Sequence, residues 1–300
     1  MELRTLGRTG LKVSALGLGT SEIGYESVTQ RQINELVNAA LDAGLNVIDT
    51  AACYGDAEEM IGRAASHRRA DYHLLTKCGH AAGIRLPDWS PELIERSIER
   101  SLKRLRTDYL DLVQFHSCSI EVLEREAVVA ALVRARDAGK TRFIGYSGDG
   151  EAARRAVRAG IFDTLQISVS IADQEAIDGA VAEARERNLG VIAKRPIANA
   201  AWLLEPGRGG IDWYYRTYRQ RLEKLGYGFL FEGPKAAVAT ALRFTLSVPG
   251  VHTAIVGTTR PRRWNQNAEL IAPGRLKPTQ YDAIRARWRA VADASWVGQR

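Results

Sequence analysis

Asn46-Val-Ile-Asp-Thr50, a helix-like stretch across Glu58 to Ala65, and Leu74-Leu-Thr-Lys77 follow one another in the chain. The two short apolar runs read as buried strands, apolar on both faces. A strand, a helix and a second such strand form a parallel βαβ unit. The pattern extends both ways. Upstream, Val13-Ser-Ala-Leu-Gly-Leu-Gly19 reads as a strand, and a helix follows from about Gln32 to Ala43, closed by Gly44. Downstream, Ser90-Pro91 opens a helix with serine as cap and proline in the first turn. Its stripe Ile94, Ile98, Leu102 and Leu105 has helical spacing. Leu112-Val-Gln-Phe-His116 is the fourth strand.

The alternation continues to the C-terminal part of the chain. Predicted strands cover Arg142 to Ser147, Thr164 to Ser168, Gly190 to Lys194 and Thr253 to Gly257. Predicted helices run from about Val122 to Gly139, Ala152 to Ala159, Gln174 to Arg187, Lys235 to Leu246 and Arg262 to Leu270. Eight strand–helix units in 300 residues predict an α/β chain, a closed (β/α)8 TIM barrel, as one domain over 1–300. Glu2 to Leu6 and Leu11 to Ser14, around Gly7 and Gly10, predict a hairpin able to cover the barrel floor. Asn199 to Gly233, after strand seven, far exceeds the usual ~4–6-residue connection. Its aromatic residues, among them Trp202, Trp213, Tyr214, Tyr218, Tyr227 and Phe231, suit a docked helical excursion or a closing lid hinged at Gly207, Gly209 and Gly210.

Four ionisable residues, Asp49, Tyr54, Lys77 and His116, fall at or just after predicted strand ends. Barrel enzymes place their chemistry at the C-terminal ends of strands. An acid, a phenol, an amine and an imidazole meeting there suit proton transfer to a carbonyl oxygen.

Composition narrows the classes. Hydrophobic residues make up 45% of the chain, enough for a large core, and no run approaches the ~18 apolar residues of a membrane helix. The opening Met1-Glu-Leu-Arg-Thr-Leu-Gly-Arg8 lacks the apolar centre of a signal peptide, so a cytoplasmic protein is expected. Three cysteines argue against a disulfide framework. The net charge of +7 is dispersed among acidic residues, as in Glu95-Arg96 and Glu99-Arg100. It favours an anionic small molecule over nucleic acid. Gly17-Leu-Gly19 and Gly24 do not have the spacing of the dinucleotide fingerprint. Cys53, Cys78, His80, His116 and Cys118 offer zinc-ligand types without a tight pair motif, and no metal is expected.

Several motifs resemble those of the aldo-keto reductase family: Asn46-Val-Ile-Asp-Thr-Ala-Ala-Cys-Tyr-Gly55 with Glu58-Glu59, Leu75-Thr-Lys77, Ser101 through His116, and Gly139-Lys-Thr-Arg-Phe-Ile-Gly-Tyr-Ser147. The resemblance implies a (β/α)8 barrel that binds NADPH or NADH and interconverts carbonyls and alcohols. It lays the catalytic tetrad on Asp49, Tyr54, Lys77 and His116. Tyr54 would give the proton, Lys77 would lower its pKa from ~10, Asp49 would hold Lys77, and His116 would orient the carbonyl.

The resemblance also implies a cofactor site. Ser147 and Gln166 match positions that hold the nicotinamide carboxamide, with Gly148 where an asparagine is usual. An asparagine restored there is expected to tighten binding. Lys194 takes the place of a stacking aromatic residue, and Arg195 suits the pyrophosphate. Val256-Gly-Thr-Thr-Arg-Pro-Arg-Arg-Trp-Asn-Gln-Asn267 resembles the adenosine-phosphate segment. There Gly257, Thr258, Arg263 and Asn267 would meet the cofactor, and the three arginines 260, 262 and 263 favour NADPH, with NADH possible. The rival readings are a cofactor-binding regulatory or interaction barrel with slow turnover, and a zinc-dependent barrel hydrolase.

Overall fold

The computed structural model describes residues 1–204 and 212–299. Strands β1 (Leu3–Thr5) and β2 (Lys12–Ser14) pair antiparallel as the expected hairpin. Eight more strands follow: β3 (Leu16–Gly19), β4 (Val47–Asp49), β5 (His73–Cys78), β6 (Leu110–His116), β7 (Thr141–Ser147), β8 (Thr164–Ser168), β9 (Gly190–Lys194) and β10 (Val251–Gly257). They form a closed parallel barrel in chain order, with β10 returning to β3. Around it lie α1 (Ser21–Tyr25), α2 (Gln30–Asp42), α3 (Ala57–Ala65), α4 (Pro91–Leu105), α5 (Ile120–Leu123), α6 (Glu126–Asp137), α7 (Gly150–Arg158), α8 (Ala180–Glu186), α9 (Asp212–Leu225), α10 (Pro234–Ser247), α11 (Pro261–Ile271) and α12 (Pro278–Val291). This is the (β/α)8 architecture that the alternating pattern predicts.

Local chemistry sets the helix starts. Thr29 and Gln32 form a reciprocal capping box at α2. Ser90 Oγ accepts from Leu93 N at 3.2 Å at the start of α4, where Pro91 occupies the first turn. The buried face of α4 includes Ile94, Ile98 and Leu105, so the sequence stripe points to the barrel. The hairpin closes the floor: Leu6, Leu11 and Val13 pack with Val47, Leu75, Leu112, Ile192 and Ile255 from the barrel interior. All are buried, and each large apolar side chain so placed contributes ~1.5–3 kcal/mol.

Several boundaries differ from the sequence reading. The run Val13 to Gly19 divides at Ala15, whose N–H reaches back to Glu2 O at 2.9 Å in the hairpin while its carbonyl accepts from Ala254 N of the barrel. The helix expected from Val122 to Gly139 breaks between α5 and α6 at Glu124 and Arg125. The one expected over 174–187 begins as a 3-10 turn, Glu175–Asp178, before α8. The C-terminal α12, absent from the sequence reading, buries Ile284, Arg285 and Trp288. Within the long insertion, α9 docks by Tyr218, Leu222 and Leu225, while Phe231 is 86% exposed. The described part is thus a docked helical excursion; the hinge glycines Gly207, Gly209 and Gly210 and the side chains of Trp213 and Tyr214 lie outside the described residues.

Helices α3 and α4 meet at Gly62. A Cβ there would lie 2.2 Å from Arg104 O and 2.9 Å from the Leu105 backbone. Gly62→Ala should therefore destabilise the fold by ~1–3 kcal/mol in denaturant unfolding, because backbone is what must move. An unchanged midpoint would show that the two helices do not rest on this contact.

Candidate active site

The strand register brings the predicted polar residues to one end of the barrel. His116 of β6 stands opposite Ser147 of β7, and Ser147 opposite Gln166 of β8. Asp49 ends β4 and Lys77 lies near the end of β5. Both are buried. Lys77 Nζ lies 2.6 Å from Asp49 Oδ2 and donates to Thr50 O at 2.9 Å. Gln166 Nε2 donates to Asp49 Oδ1 at 2.9 Å, and Ser147 Oγ donates to Gln166 Oε1 at 2.8 Å. A continuous polar chain therefore crosses the barrel from β7 to β5, and each buried charge within it has partners.

Tyr54 is carried by the turn after β4. Its N–H bonds Ala51 O at 3.0 Å, and its carbonyl accepts from Ala57 N at 2.9 Å, the first residue of α3. The half-buried ring has Lys77 Nζ 5.2 Å from its centroid and His116 edge-on at 5.7 Å. The tetrad residues thus meet in one place.

His116 is shaped by Cys53 and His80, which the sequence reading considered only as zinc-ligand types. Its Nδ1 lies 3.3 Å from Cys53 Sγ, and its carbonyl contacts His80 Nε2 at 3.0 Å. His80 in turn packs on Trp89, with ring centroids 5.2 Å apart. Burial, and then the charges of Lys77, His80, Lys194 and Arg195, hold the His116 pKa well below the usual imidazole value. The ring is neutral at physiological pH. Burial raises the Cys53 thiol, so it stays protonated. Cys78 and Cys118 are buried, and no three His, Cys, Asp or Glu side chains converge to hold a metal among the described residues.

The predicted cofactor residues divide into two groups. Ser147 and Gln166 belong to the tetrad network. Lys194 and Arg195, at the end of β9, face an acid the sequence gave no reason to select: Asp149 Oδ2 is 2.8 Å from Lys194 Nζ and 4.0 Å from Arg195 Nη1. Asp149 Oδ1 accepts from Ser168 N at 2.8 Å. Burial pushes the Asp149 pKa upward, but the two cations and the Ser168 N–H outweigh it and leave the carboxyl below its ordinary value. Arg195 also donates to Ser168 Oγ at 3.0 Å and to Gln299 O, so the C-terminal residues lie across this corner of the mouth. The other group stands at the β10–α11 junction. Thr258 Oγ1 accepts from Arg260 N at 3.2 Å, Asn267 is buried, and Arg260, Arg262 and Arg263 are exposed. No side chain caps the start of α11, which leaves a cationic helix N-terminus suited to phosphate. Gly257 lies against the Glu22 carboxylate, whose pKa burial raises. The residues present thus fit an extended anionic cofactor with an amide head and a phosphate end.

Gly148 corrects one expectation. A Cβ at this position would fall 2.5 Å from Tyr146 Oη and 2.7 Å from its ring, and Tyr146 Oη is committed to Cys118 O at 2.8 Å. The site has no room for the asparagine that the resemblance suggested. Gly148→Asn should lower stability by ~1–3 kcal/mol and weaken cofactor binding. Thermal unfolding and cofactor titration check this; a stable variant with tighter binding would mean that Tyr146 yields freely.

Comparison with known proteins agrees with this geometry. The chain matches the Aldo/keto reductase family over residues 15–289. It is similar to L-galactose dehydrogenase of Arabidopsis thaliana, 39% identical over 158 residues, 49% of this chain and 49% of that protein. It is similar also to an NADH-specific methylglyoxal reductase of Escherichia coli, 32% identical over 194 residues, 56% of this chain and 59% of that protein. The matched stretch thus spans only about half the length of these curated relatives. In fold it resembles the holo form of an aldo-keto reductase from Bacillus halodurans, with a TM-score of 0.83, 23% identity and 99% of each chain covered. The family match over nearly the whole chain, with the tetrad assembled at the C-terminal ends of the barrel strands, makes this chain a member of the aldo/keto reductase family.

Proposed function

We propose that this chain is an NAD(P)H-dependent oxidoreductase, one barrel domain over 1–300, that interconverts a carbonyl (aldehyde, ketone or sugar) and an alcohol. The observation that carries the reading is the buried Ser147–Gln166–Asp49–Lys77 chain, which ends beneath Tyr54 and beside a neutral His116. A bound nicotinamide supplies or accepts the hydride.

Tyr54 is the general acid in reduction and the base in the reverse direction. A free phenol with pKa ~10 gives up its proton slowly at neutral pH, and a cation beside it stabilises the phenolate. Lys77 supplies that charge, and Asp49 with Thr50 O fixes the ammonium. His116 orients the carbonyl oxygen. Because it is neutral, only one ring nitrogen carries a proton. Cys53 Sγ lies 3.3 Å from Nδ1; in this reading the thiol is the donor of that contact and the ring proton sits on Nε2, where it can be given to the substrate oxygen.

Ser147 and Gln166 are the residues to hold the carboxamide, and Arg195 the pyrophosphate. Gly257, Thr258, Arg263 and Asn267 would hold the adenosine end. NADPH is the preferred form in this reading, because three exposed guanidinium groups surround an uncapped helix start. The NADH-specific relative keeps NADH as a second cofactor. The substrate is a small molecule, and the cytoplasm is the proposed compartment; among the described residues no helix is long and apolar enough to cross a membrane.

Tyr54→Phe removes the proton donor and little volume. Carbonyl reduction across an aldehyde, ketone and sugar panel should fall by ~10²–10⁴ while NADPH binding, followed by fluorescence, stays near normal. Near-normal turnover would remove Tyr54 from the mechanism. Arg263→Ala should weaken NADPH by ~1.5–3 kcal/mol, about 10–100-fold, and barely affect NADH. Equal losses would assign Arg263 a structural role, and a wild type that prefers NADH would refute the phosphate reading.

A further inference from the structure

Outside the barrel, the crossing of α3 and α4 leaves a groove of about 380 Å³ lined by Glu59, Arg63, Arg100, Lys103, Arg104 and Arg106. Glu59 pairs with Arg63 at 3.2 Å and Arg104 at 3.6 Å, and buried Glu58 lies 3.8 Å from Arg104. With both acids counted, three of the five cations remain uncompensated. Arg100, Lys103 and Arg106 have no ion-pair partner among the described residues. The C-terminal dipole of α4 accounts for about half a charge of this excess. Arg100 Nε is, moreover, buried without a hydrogen-bond partner.

We propose that this groove binds a di- or triphosphate group of a small molecule, at a site separate from the catalytic mouth, and that it communicates with the catalytic loops. Guanidinium forks pair with phosphoryl oxygens in a bidentate way, and the groove offers four of them beside one ammonium. Five cationic side chains lining one groove suit a chain of phosphates better than a single one. The route to the loops is through the same side chains. Arg104 Nη1 reaches Ala52 O at 3.5 Å, in the turn between Asp49 and Tyr54. Arg100 Nη1 donates to Ala82 O at 2.7 Å and Nη2 to Ala81 O at 3.5 Å, directly after His80. A polyanion in the groove competes with these carbonyls for the two guanidinium groups and loosens both loops.

The test is isothermal titration with pyrophosphate, tripolyphosphate and ATP, on full-length protein saturated with NADPH so that the cofactor site is closed to the probes. Hydrogen exchange of the 50–56 and 79–83 segments is followed in parallel. Tripolyphosphate should bind in a salt-sensitive manner, and Lys103→Glu with Arg106→Glu should weaken it at least tenfold. Neither residue touches the catalytic loops, so KM for NADPH should not move. Tighter binding of ATP than of tripolyphosphate identifies a nucleotide as the occupant, and the reverse identifies free polyphosphate. Failure of the NADPH-saturated protein to bind any probe would overturn the site, as would equal binding by the double variant. Binding with unchanged exchange in both segments would overturn the communication with the loops.

Discussion

The Lys77–Asp49 pair is the constraint on which the active end of this barrel depends. Two opposite charges are held 2.6 Å apart out of contact with water. Such a pair persists only when its remaining donors and acceptors are also satisfied. Thr50 O and Gln166 Nε2 complete it. Because the partners come from β4, β5 and β8, their demands fix three strand ends relative to one another. The turn from Thr50 to Tyr54 starts from the same point, so the phenol is positioned by the pair as well as by its own backbone bonds.

The electrostatics of the mouth follow from what surrounds this pair. Lys77, Lys194 and Arg195 bring positive charge to a partly desolvated space, answered by Asp49 and Asp149. A protonated imidazole would add to that charge, so His116 is kept neutral. Neutral imidazole is a useful donor only if its proton lies on the correct nitrogen. Cys53 Sγ, 3.3 Å from Nδ1, is the side chain in contact with that nitrogen, which its type alone does not announce. The same positive field favours an anionic ligand at this end of the barrel.

Gly148 and Lys194 are among the positions that depart from the pattern the resemblance implies, and the structure gives each a physical setting. Gly148 leaves space that the Tyr146 ring fills. Lys194 pairs with the buried Asp149, so its ammonium is compensated where an aromatic ring would have needed no partner. The C-terminal residues add to this corner. Arg195 holds Gln299 O and Arg221 Nη2 holds Val297 O at 2.8 Å, so the tail is fastened by two guanidinium groups.

The barrel was legible in the chain because parallel strands buried on both faces must be continuous apolar runs, as in Leu74 to Leu75 and Leu112 to Val113. That Asp49, Lys77 and His116 lie at one end of the barrel was legible for a related reason: a charged or titratable residue that closes such a run has few places to go except the strand end, and Tyr54 follows in the turn after β4. The α12 helix was not legible, because its buried side includes Arg285, which bonds Gln174 Oε1 at 2.9 Å in place of apolar packing. Asp149 was not legible either, and Cys53 was singled out only among zinc-ligand types, not for its contact with His116. Their partners, Lys194 and His116, lie on other strands, and no local period links them. Sequence alone thus determined the strand–helix order and the placing of Asp49, Lys77 and His116 at strand ends, since burial acts on each segment by itself. Only the tertiary structure decided which buried charges pair, which nitrogen of His116 meets Cys53 and why position 148 has no side chain, because these depend on distances between segments that meet only when the barrel closes.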